Sequence, residues 1–334
     1  MKDNHSLMDI KELAVLFETD EGYFYAVDHI SFSIHRGEIL GIAGESGSGK
    51  TVTAHSIMRL IAWPGQITHG KIEFRGVNLL DIPLPQFRQF RGKTISMIFQ
   101  EPMSALSPLH RIGHQLTEAI QVHQQISKNN AWHIAKQWLE KVGIPDADER
   151  MFAYPFQLSG GMQQRVMIAM ALMMKPEVVV ADEPTTALDV TIQAQIFELI
   201  KELKEQDTSI VLITHDMGVI WEMCDRIAVM YAAKIVEQGR VDEIFNSPIH
   251  PYTIGLINAI PKISQSTKRL HVIQGHVPSP LNYPSGCRFH PRCHYATNQC
   301  RNESPPVVKI SETREVACFL SDKFNKTQKM QWTS

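Results

Sequence analysis

No stretch of this 334-residue sequence stays apolar long enough to cross a membrane as a helix. The nearest approach, Val166 to Met174, is stopped by Lys175 and Pro176, well short of the roughly 18 residues a spanning helix needs. The opening MKDNHSLMDIKEL lacks the apolar core of a secretory signal. Both absences predict a cytoplasmic chain whose membrane connection would run through a partner. Positive charge is not in excess either: 33 Lys and Arg against 35 Asp and Glu leave a formal net charge of -2, which argues against nucleic acid as a ligand. Sustained heptads are missing, so no long coiled coil is expected. Cysteine is scarce, with five residues and no C-x-x-C pair. What is present, 43% hydrophobic and 20% charged residues, suits a globular protein of one large domain plus an appendage.

Two periodicities organise the chain. Ile30, Phe32 and Ile34 alternate with polar neighbours as in a half-buried strand, within a β-rich stretch over 8–40. Ile95-Ser96-Met97-Ile98-Phe99 reads as another strand, and Val178 to Ala181 and Ile210 to Ile213 are short, wholly apolar runs of the kind buried in parallel sheets. Between the last two, Ile192, Ile196, Leu199, Ile200 and Leu203 share one helical face. The class is therefore α/β, with a helical insertion over about 112–142. Past Ile244 the proline density rises sharply, which predicts a loop-rich extension starting near Asn246.

The stretch GESGSGKT at 44–51 follows the apolar run Ile39 to Ala43 and has the spacing G-x-x-x-x-G-K-T of a phosphate-binding loop. Glycines let several N–H groups point inward, and the following helix adds its positive end. Lys50 reaches the outer phosphates and Thr51 can ligate magnesium. A plain strand-to-helix turn would not require Lys-Thr. At 182–184, Asp-Glu-Pro places two carboxylates at the end of a buried strand, where ligands of open α/β sheets sit. Asp182 suits magnesium, directly or through water, and Glu183 suits polarising the attacking water. Leu158-Ser159-Gly160-Gly161-Met162-Gln163 opens a helix and forms a second anion site. Two such sites in one chain make sense if two chains meet head to tail.

Four of the cysteines, Cys287, Cys293, Cys300 and Cys318, crowd into the last fifth of the chain with gaps of five, six and seventeen residues. Four thiolates can complete a tetrahedral zinc site or an iron–sulfur cluster. His290 and His294 lie close enough to substitute as ligands, and Cys224 stands apart as a small buried residue.

The phosphate loop, Gln100 after its strand, LSGGMQ, the Asp182-Glu183-Pro184 strand end, Ala187-Leu188-Asp189 and Thr214-His215-Asp216 occur in the order and approximate spacing of an ABC transporter ATPase subunit. The resemblance covers residues 8–245. Phe99-Gln100-Glu101-Pro102-Met103, the run from Asp182 to Gln195 and His250-Pro251-Tyr252-Thr253 are similar to the bacterial dipeptide and oligopeptide importer ATPases. The resemblance implies an α/β P-loop ATPase core. Its parts would be a mostly parallel sheet, an antiparallel β subdomain, a helical subdomain at about 103–170 and a loop-rich extension over 246–334. A departure at Ala232-Ala233, where the family commonly has Ala-Gly, puts the local turn geometry in doubt.

The same resemblance implies roles. Phe17 would stack on adenine, with Tyr23 as second candidate. Gly44, Ser46, Gly47, Ser48, Gly49, Lys50, Thr51 and Val52 would surround the phosphates of ATP. Thr51, Gln100 and Asp182 would serve Mg2+, with Gln100 linking the nucleotide to the membrane subunits. Glu183, His215 and Gln100 would be catalytic, His215 by contacting the γ-phosphate and Gln100 by sensing the magnesium and the nucleophile. Asp189 would cross the dimer interface, and Ser159, Gly160 and Gly161 would close on the other subunit's nucleotide. Some of these importer subunits bind a [4Fe–4S] cluster in the extension, which favours the cluster over zinc at the four cysteines. Implied partners are two transmembrane permease subunits, a second similar ATPase and a peptide-binding protein, at the cytoplasmic face of the bacterial inner membrane. Two other readings are an importer ATPase for nickel or another small solute, and a soluble ABC protein acting on ribosomes or DNA. That last class commonly carries paired cassettes or a coiled-coil insertion.

Overall fold

The computed structural model describes residues 6–185, 190–204, 207–260 and 272–324. Its first strands are β1 (Ser6–Thr19), β2 (Gly22–His35), β3 (Ile39–Ala43), β4 (Gly65–Phe74), β5 (Val77–Asn78) and β6 (Ile95–Ile98). Then come β7 (Val178–Asp182), β8 (Ser209–Thr214), β9 (Arg226–Tyr231), β10 (Lys234–Arg240), β11 (Val307–Lys309) and β12 (Glu315–Ala317). The chain divides into two compact units, one of residues 1–34, 38–80 and 213–334, the other of 35–37 and 81–212. No described helix is long and apolar enough to cross a membrane.

The first unit holds an antiparallel sheet in the order β2-β1-β4-β5 and a second run of strands in the order β11-β12-β10-β9-β3. Strand β3 reads ILGIA and is buried throughout. It pairs in parallel with β9 from Leu40↔Arg226 to Ala43↔Val229. In the second unit β6 pairs in parallel with β7, Ile95↔Val178 through Ile98↔Ala181. The apolar runs thus form the doubly buried strands their composition predicts. The helical part of this unit packs Ile112, Leu116 and Ile120 of the helix Ile112–Gln121, and Ala131, Ala135 and Leu139 of the helix Lys128–Lys141, out of solvent. Ser127 caps the latter helix, its side chain accepting from the Asn130 N–H at 3.3 Å.

β9 turns into β10 through Ala232 and Ala233, both at positive φ (45° and 68°). Tyr231 pairs with Lys234, so the turn has two residues. Two left-handed alanines in succession match the right-handed twist of a tight hairpin but cost of order 1–2 kcal/mol each. The turn is pinned on three sides: Ala233 N–H donates to the Ser48 carbonyl at 3.0 Å, Asp28 N–H to the Ala233 carbonyl at 2.8 Å, and Arg288 to the Ala232 carbonyl.

The proline-rich stretch past Ile244 forms no compact unit of its own; its described part belongs to the first unit. β12 adds to the edge of β10 through Glu237↔Val316 and Gln238↔Glu315. A buried ion pair fastens it: Arg314 meets Glu237 at 2.6 Å, with side chains 6% and 0% exposed. The Glu237 carboxylate also accepts from the N–H groups of Ile249 and His250. Removing one partner of such a pair leaves a buried charge and costs about 3–5 kcal/mol. Phe289 and Tyr252 join Tyr231, Val229 and Ile244 in one core cluster, so the extension uses the first unit's core instead of building its own.

His250 sits at this seam, 1% exposed, with Nδ1 accepting from the Tyr252 N–H at 3.1 Å. Burial pushes its pKa down from 6.5 to about 3. The native state therefore keeps the ring neutral while the unfolded chain takes up a proton below about pH 6.5. Stability supplied by the neutral ring is present above that pH and is lost as the pH falls toward 3. We expect the thermal midpoint of the wild-type chain to drop between pH 6.5 and 4 more steeply than that of His250→Asn, whose amide oxygen keeps the helix cap. Parallel melting curves for the two proteins would remove His250 as the cause.

Candidate functional site

β3 ends at Ala43 and the helix Lys50–Ile57 begins after Gly49. Two glycines of the intervening loop have no alternative. A β-carbon on Gly44 (φ 155°) would lie 2.1 Å from the Met230 carbonyl oxygen, and one on Gly49 (φ 103°) 2.3 Å from that of Ala26. The Lys50 ammonium donates to the Gly44 and Glu45 carbonyls at 2.8 and 3.1 Å. Ser46 and Gly47 are exposed at the crest, Ser48 is buried, Thr51 is exposed on the helix's first turn and Val52 is half-buried behind it. A curled loop feeding a helix N-terminus directs backbone N–H groups and the helix dipole at an anion. Phe17, opposite Gly65 in the β1–β4 register, stacks on Phe24 with centroids 5.6 Å apart. Tyr23 is 65% exposed and hydrogen-bonds Glu18 at 3.1 Å.

In the second unit β7 delivers Asp182, 2% exposed, at its last position. Glu183 follows at φ 44°, a left-handed conformation unusual for a side-chain-bearing residue and characteristic of strained functional positions. Gln100, exposed just beyond β6, donates to the Glu183 carboxylate at 3.5 Å, so the structure brings these two predicted residues together. Buried Gln164 donates to the Pro184 carbonyl and Gln193 to that of Thr185 at 3.1 Å, fixing the turn after the carboxylates. Gln164 comes from the helix Gly160–Leu172, whose N-cap Ser159 accepts from the Met162 N–H.

His215 is exposed in the turn after β8. Asp216 shapes that turn by accepting from the N–H groups of Gly218 and Val219 at 2.7 and 3.3 Å. Asp189 lies outside the described residues. Two residues absent from the sequence-based site reach the phosphate loop: the Tyr252 hydroxyl accepts from the Glu45 N–H at 2.9 Å, and Arg292 grips the Glu45 carboxylate with two bonds of 2.7 and 3.0 Å. His250-Pro251-Tyr252-Thr253 was visible as a family marker without a role; nothing in the sequence singles out Arg292.

Cys287, Cys293, Cys300 and Cys318 line one cavity of about 20 Å³, together with His250, Phe289, His290 and Tyr295. That volume holds about one water molecule. All four are free thiols. Burial pushes the thiols of Cys287 and Cys293 up, and that of Cys318 up to about 12. His294 does not line the cavity. Among the described residues no group of three or more His, Cys, Asp or Glu is arranged to hold a metal ion. The four cysteines expected to hold a metal thus line one cavity, but no ligand geometry for a metal ion is found there among the described residues. Cys224, expected to be buried, is partly buried and packs against the core of the first unit.

Comparison with known proteins gives two family matches, "ABC transporter" over residues 27–186 and "Oligopeptide/dipeptide transporter, C-terminal region" over 236–300. The chain is 46% identical to the dipeptide transport ATP-binding protein DppD of Escherichia coli (strain K12), over 94% of this chain and 96% of the relative. It is 47% identical to the oligopeptide transport ATP-binding protein OppD of Bacillus subtilis (strain 168), over 94% of this chain and 88% of the relative. Among solved structures it is similar to the dimeric ATP-binding cassette MJ0796 in a post-hydrolysis state bound to ADP and Pi. The TM-score is 0.63 at 26% identity, covering 70% of this chain and 98% of that one. The phosphate loop, the carboxylates closing β7 and a match along nearly the whole length agree: the chain belongs to the ATP-binding proteins of ABC transporters, in the branch that carries the oligopeptide/dipeptide transporter C-terminal region.

Proposed function

We propose that this chain is the ATP-hydrolysing subunit of a bacterial importer of dipeptides or oligopeptides. One observation carries the reading: identity of 45–47% to peptide-transport ATP-binding proteins runs through the nucleotide motifs and the C-terminal region alike. The phosphate loop would receive ATP, with Lys50 at the outer phosphates and Phe17, its ring already stacked at a strand end, beneath the adenine. Thr51 and Asp182 would hold Mg2+, an ion that takes oxygen ligands of this kind and supplies charge neutralisation for phosphoryl transfer. Glu183 would orient and deprotonate water, steadied by Gln100. His215 and Asp189 keep their sequence-based roles at the γ-phosphate and the dimer interface. In the head-to-tail dimer, Ser159, Gly160 and Gly161 would close on the nucleotide of a second, similar ATPase, and the pair would drive two permease subunits fed by a peptide-binding protein. The place of action would be the cytoplasmic face of the inner membrane.

At the four cysteines a [4Fe–4S] cluster is favoured over zinc by the resemblance to importer ATPases that carry one, and the four donors do line one cavity. Bound there, which requires the present cavity of about 20 Å³ to widen, it would tie the segments carrying Cys287, Cys293, Cys300 and Cys318 together and take the four residues as thiolates.

Glu183→Gln should bind ATP with near-wild-type affinity while hydrolysis falls by about a hundredfold or more; near-normal turnover would remove Glu183 from the base role. Protein purified without oxygen should be brown and carry about four irons per chain, whereas colourless protein with one zinc would reverse that assignment. Gentle solubilisation of a tagged chain should bring down two multispanning permeases and a second ATPase, and recovery of ribosomal or DNA-repair proteins instead would overturn the transport reading.

A further inference from the structure

Glu45 is the first variable residue of the phosphate loop, and the C-terminal segment holds it twice. Its backbone N–H donates to Tyr252 Oη at 2.9 Å. Its carboxylate accepts the paired bonds from Arg292, an arrangement that fixes direction as well as charge. The Arg292 side chain is 5% exposed against 31% for Glu45, so the pair is anchored from the arginine side. Arg292 is itself immobilised: Nε donates to the Gln274 carbonyl at 2.9 Å, and the guanidinium lies 5.7 Å from the Tyr231 ring centroid. Tyr231, Tyr252 and Phe289 pack mutually with centroids 4.6, 5.1 and 5.4 Å apart. Phe289 also lines the thiol cavity, and Arg292 directly precedes Cys293.

One short segment therefore walls the thiol cavity and grips the phosphate loop. Lys50, the loop's cation, donates to the Glu45 carbonyl, so the backbone that Tyr252 anchors is the backbone against which the lysine rests. An unpaired Glu45 carboxylate would set a full negative charge beside a site meant for polyphosphate. Arg292 cancels it.

We propose that Arg292 and Tyr252 are positioning residues for the nucleotide: by neutralising and fixing Glu45 they set the first turn of the phosphate loop, so that the C-terminal segment governs affinity for MgATP. This rests on the ATPase reading above. The alternative is that Arg292 merely fastens the chain at Ile273 and Gln274, whose carbonyls it also bonds.

Charge separates the two. MgATP binding and steady-state hydrolysis are to be measured on the full wild-type chain, Arg292→Ala, Glu45→Gln and the double variant. With Arg292→Ala we expect the KM and Kd for MgATP to rise about tenfold, the order of effect of one unpaired charge beside a solvent-open site, while kcat stays within about twofold. Glu45→Gln in the same chain should restore most of the lost affinity, because the charge that Arg292 cancels is gone. An equal loss of affinity with or without Glu45→Gln, or no loss at all, overturns the proposal. Should Arg292→Ala fail to fold, Arg292→Lys keeps the charge without the paired bonds and should give an intermediate affinity; wild-type affinity in that variant would equally overturn the positioning role. A wild-type chain that binds no MgATP would strike the ATPase reading itself, an outcome distinct from normal wild-type binding with an insensitive Arg292.

Discussion

The backbone clearance at Gly44 and Gly49 is the constraint on which the shape of the phosphate loop depends. Each glycine presses against a carbonyl, one at Met230 in β9 and one at Ala26 in β2, at distances no β-carbon could share. The loop is thus clamped between two strands, and the β9–β10 turn closes the third side through Ala233 and Ser48. This explains why a turn with two left-handed alanines persists. Its strain is local, whereas its N–H and both its carbonyls are committed to the loop, to β2 and to Arg288. A nest held on every side needs no rearrangement to meet an anion, which is how fixed dipoles outperform mobile water.

The C-terminal segment shows how a proline-rich chain can be ordered without a core of its own. It borrows one. Tyr252 and Phe289 insert into the cluster beneath β9, while β12 takes the free edge of β10 and covers hydrogen-bonding groups that would otherwise template association. The Glu237–Arg314 pair is worth little as an interaction in itself, since desolvation offsets much of its attraction. Its value lies in register: a carboxylate that accepts from Ile249 and His250 while meeting Arg314 admits one alignment of three chain segments. Asp28 plays a related part nearer the loop. Burial works to raise its pKa, but His29, Lys234 and Arg288 outweigh burial and hold it below the usual carboxylate value, so it stays charged against Arg288.

Much of this was readable from local pattern. Apolar runs such as VVVA and ILGIA announced buried strands, and GESGSGKT announced the nest, because in both the chemistry is carried by neighbours in sequence. The helix after the loop starts at Lys50, where Gly49 in its left-handed conformation ends the loop. What local pattern could not reach were pairings across the chain. Arg292 and Glu45 are 247 residues apart, and neither has a neighbourhood that marks it. Proline density past Ile244 correctly read as few helices and sheets, yet it said nothing about where the segment would pack, because strand-edge addition and aromatic insertion depend on partners elsewhere. The cysteines sit between these cases. Their crowding in sequence led to a metal-site expectation; the structure brings them to one cavity without a metal-holding group among the described residues.

The glycines at the start of the helix Gly160–Leu172 pose the opposite problem from those of the phosphate loop. A β-carbon on Gly160 would meet nothing within 4 Å, and one on Gly161 would make only ordinary contact with Ile192 at 3.4 Å. Neither residue has positive φ, so backbone conformation does not call for glycine either. Glycine within a helix costs roughly 0.5–1 kcal/mol relative to alanine, and among the described residues no close contact offsets that cost. What the two glycines do provide is an open helix end that a ligand can approach more closely than a methyl group would allow. A helix N-terminus capped by Ser159 and stripped of side chains is suited to an anion held by another molecule. In the proposed head-to-tail pairing that anion would be the triphosphate on the partner's phosphate loop, and the proposal thereby gives the second glycine pair a use.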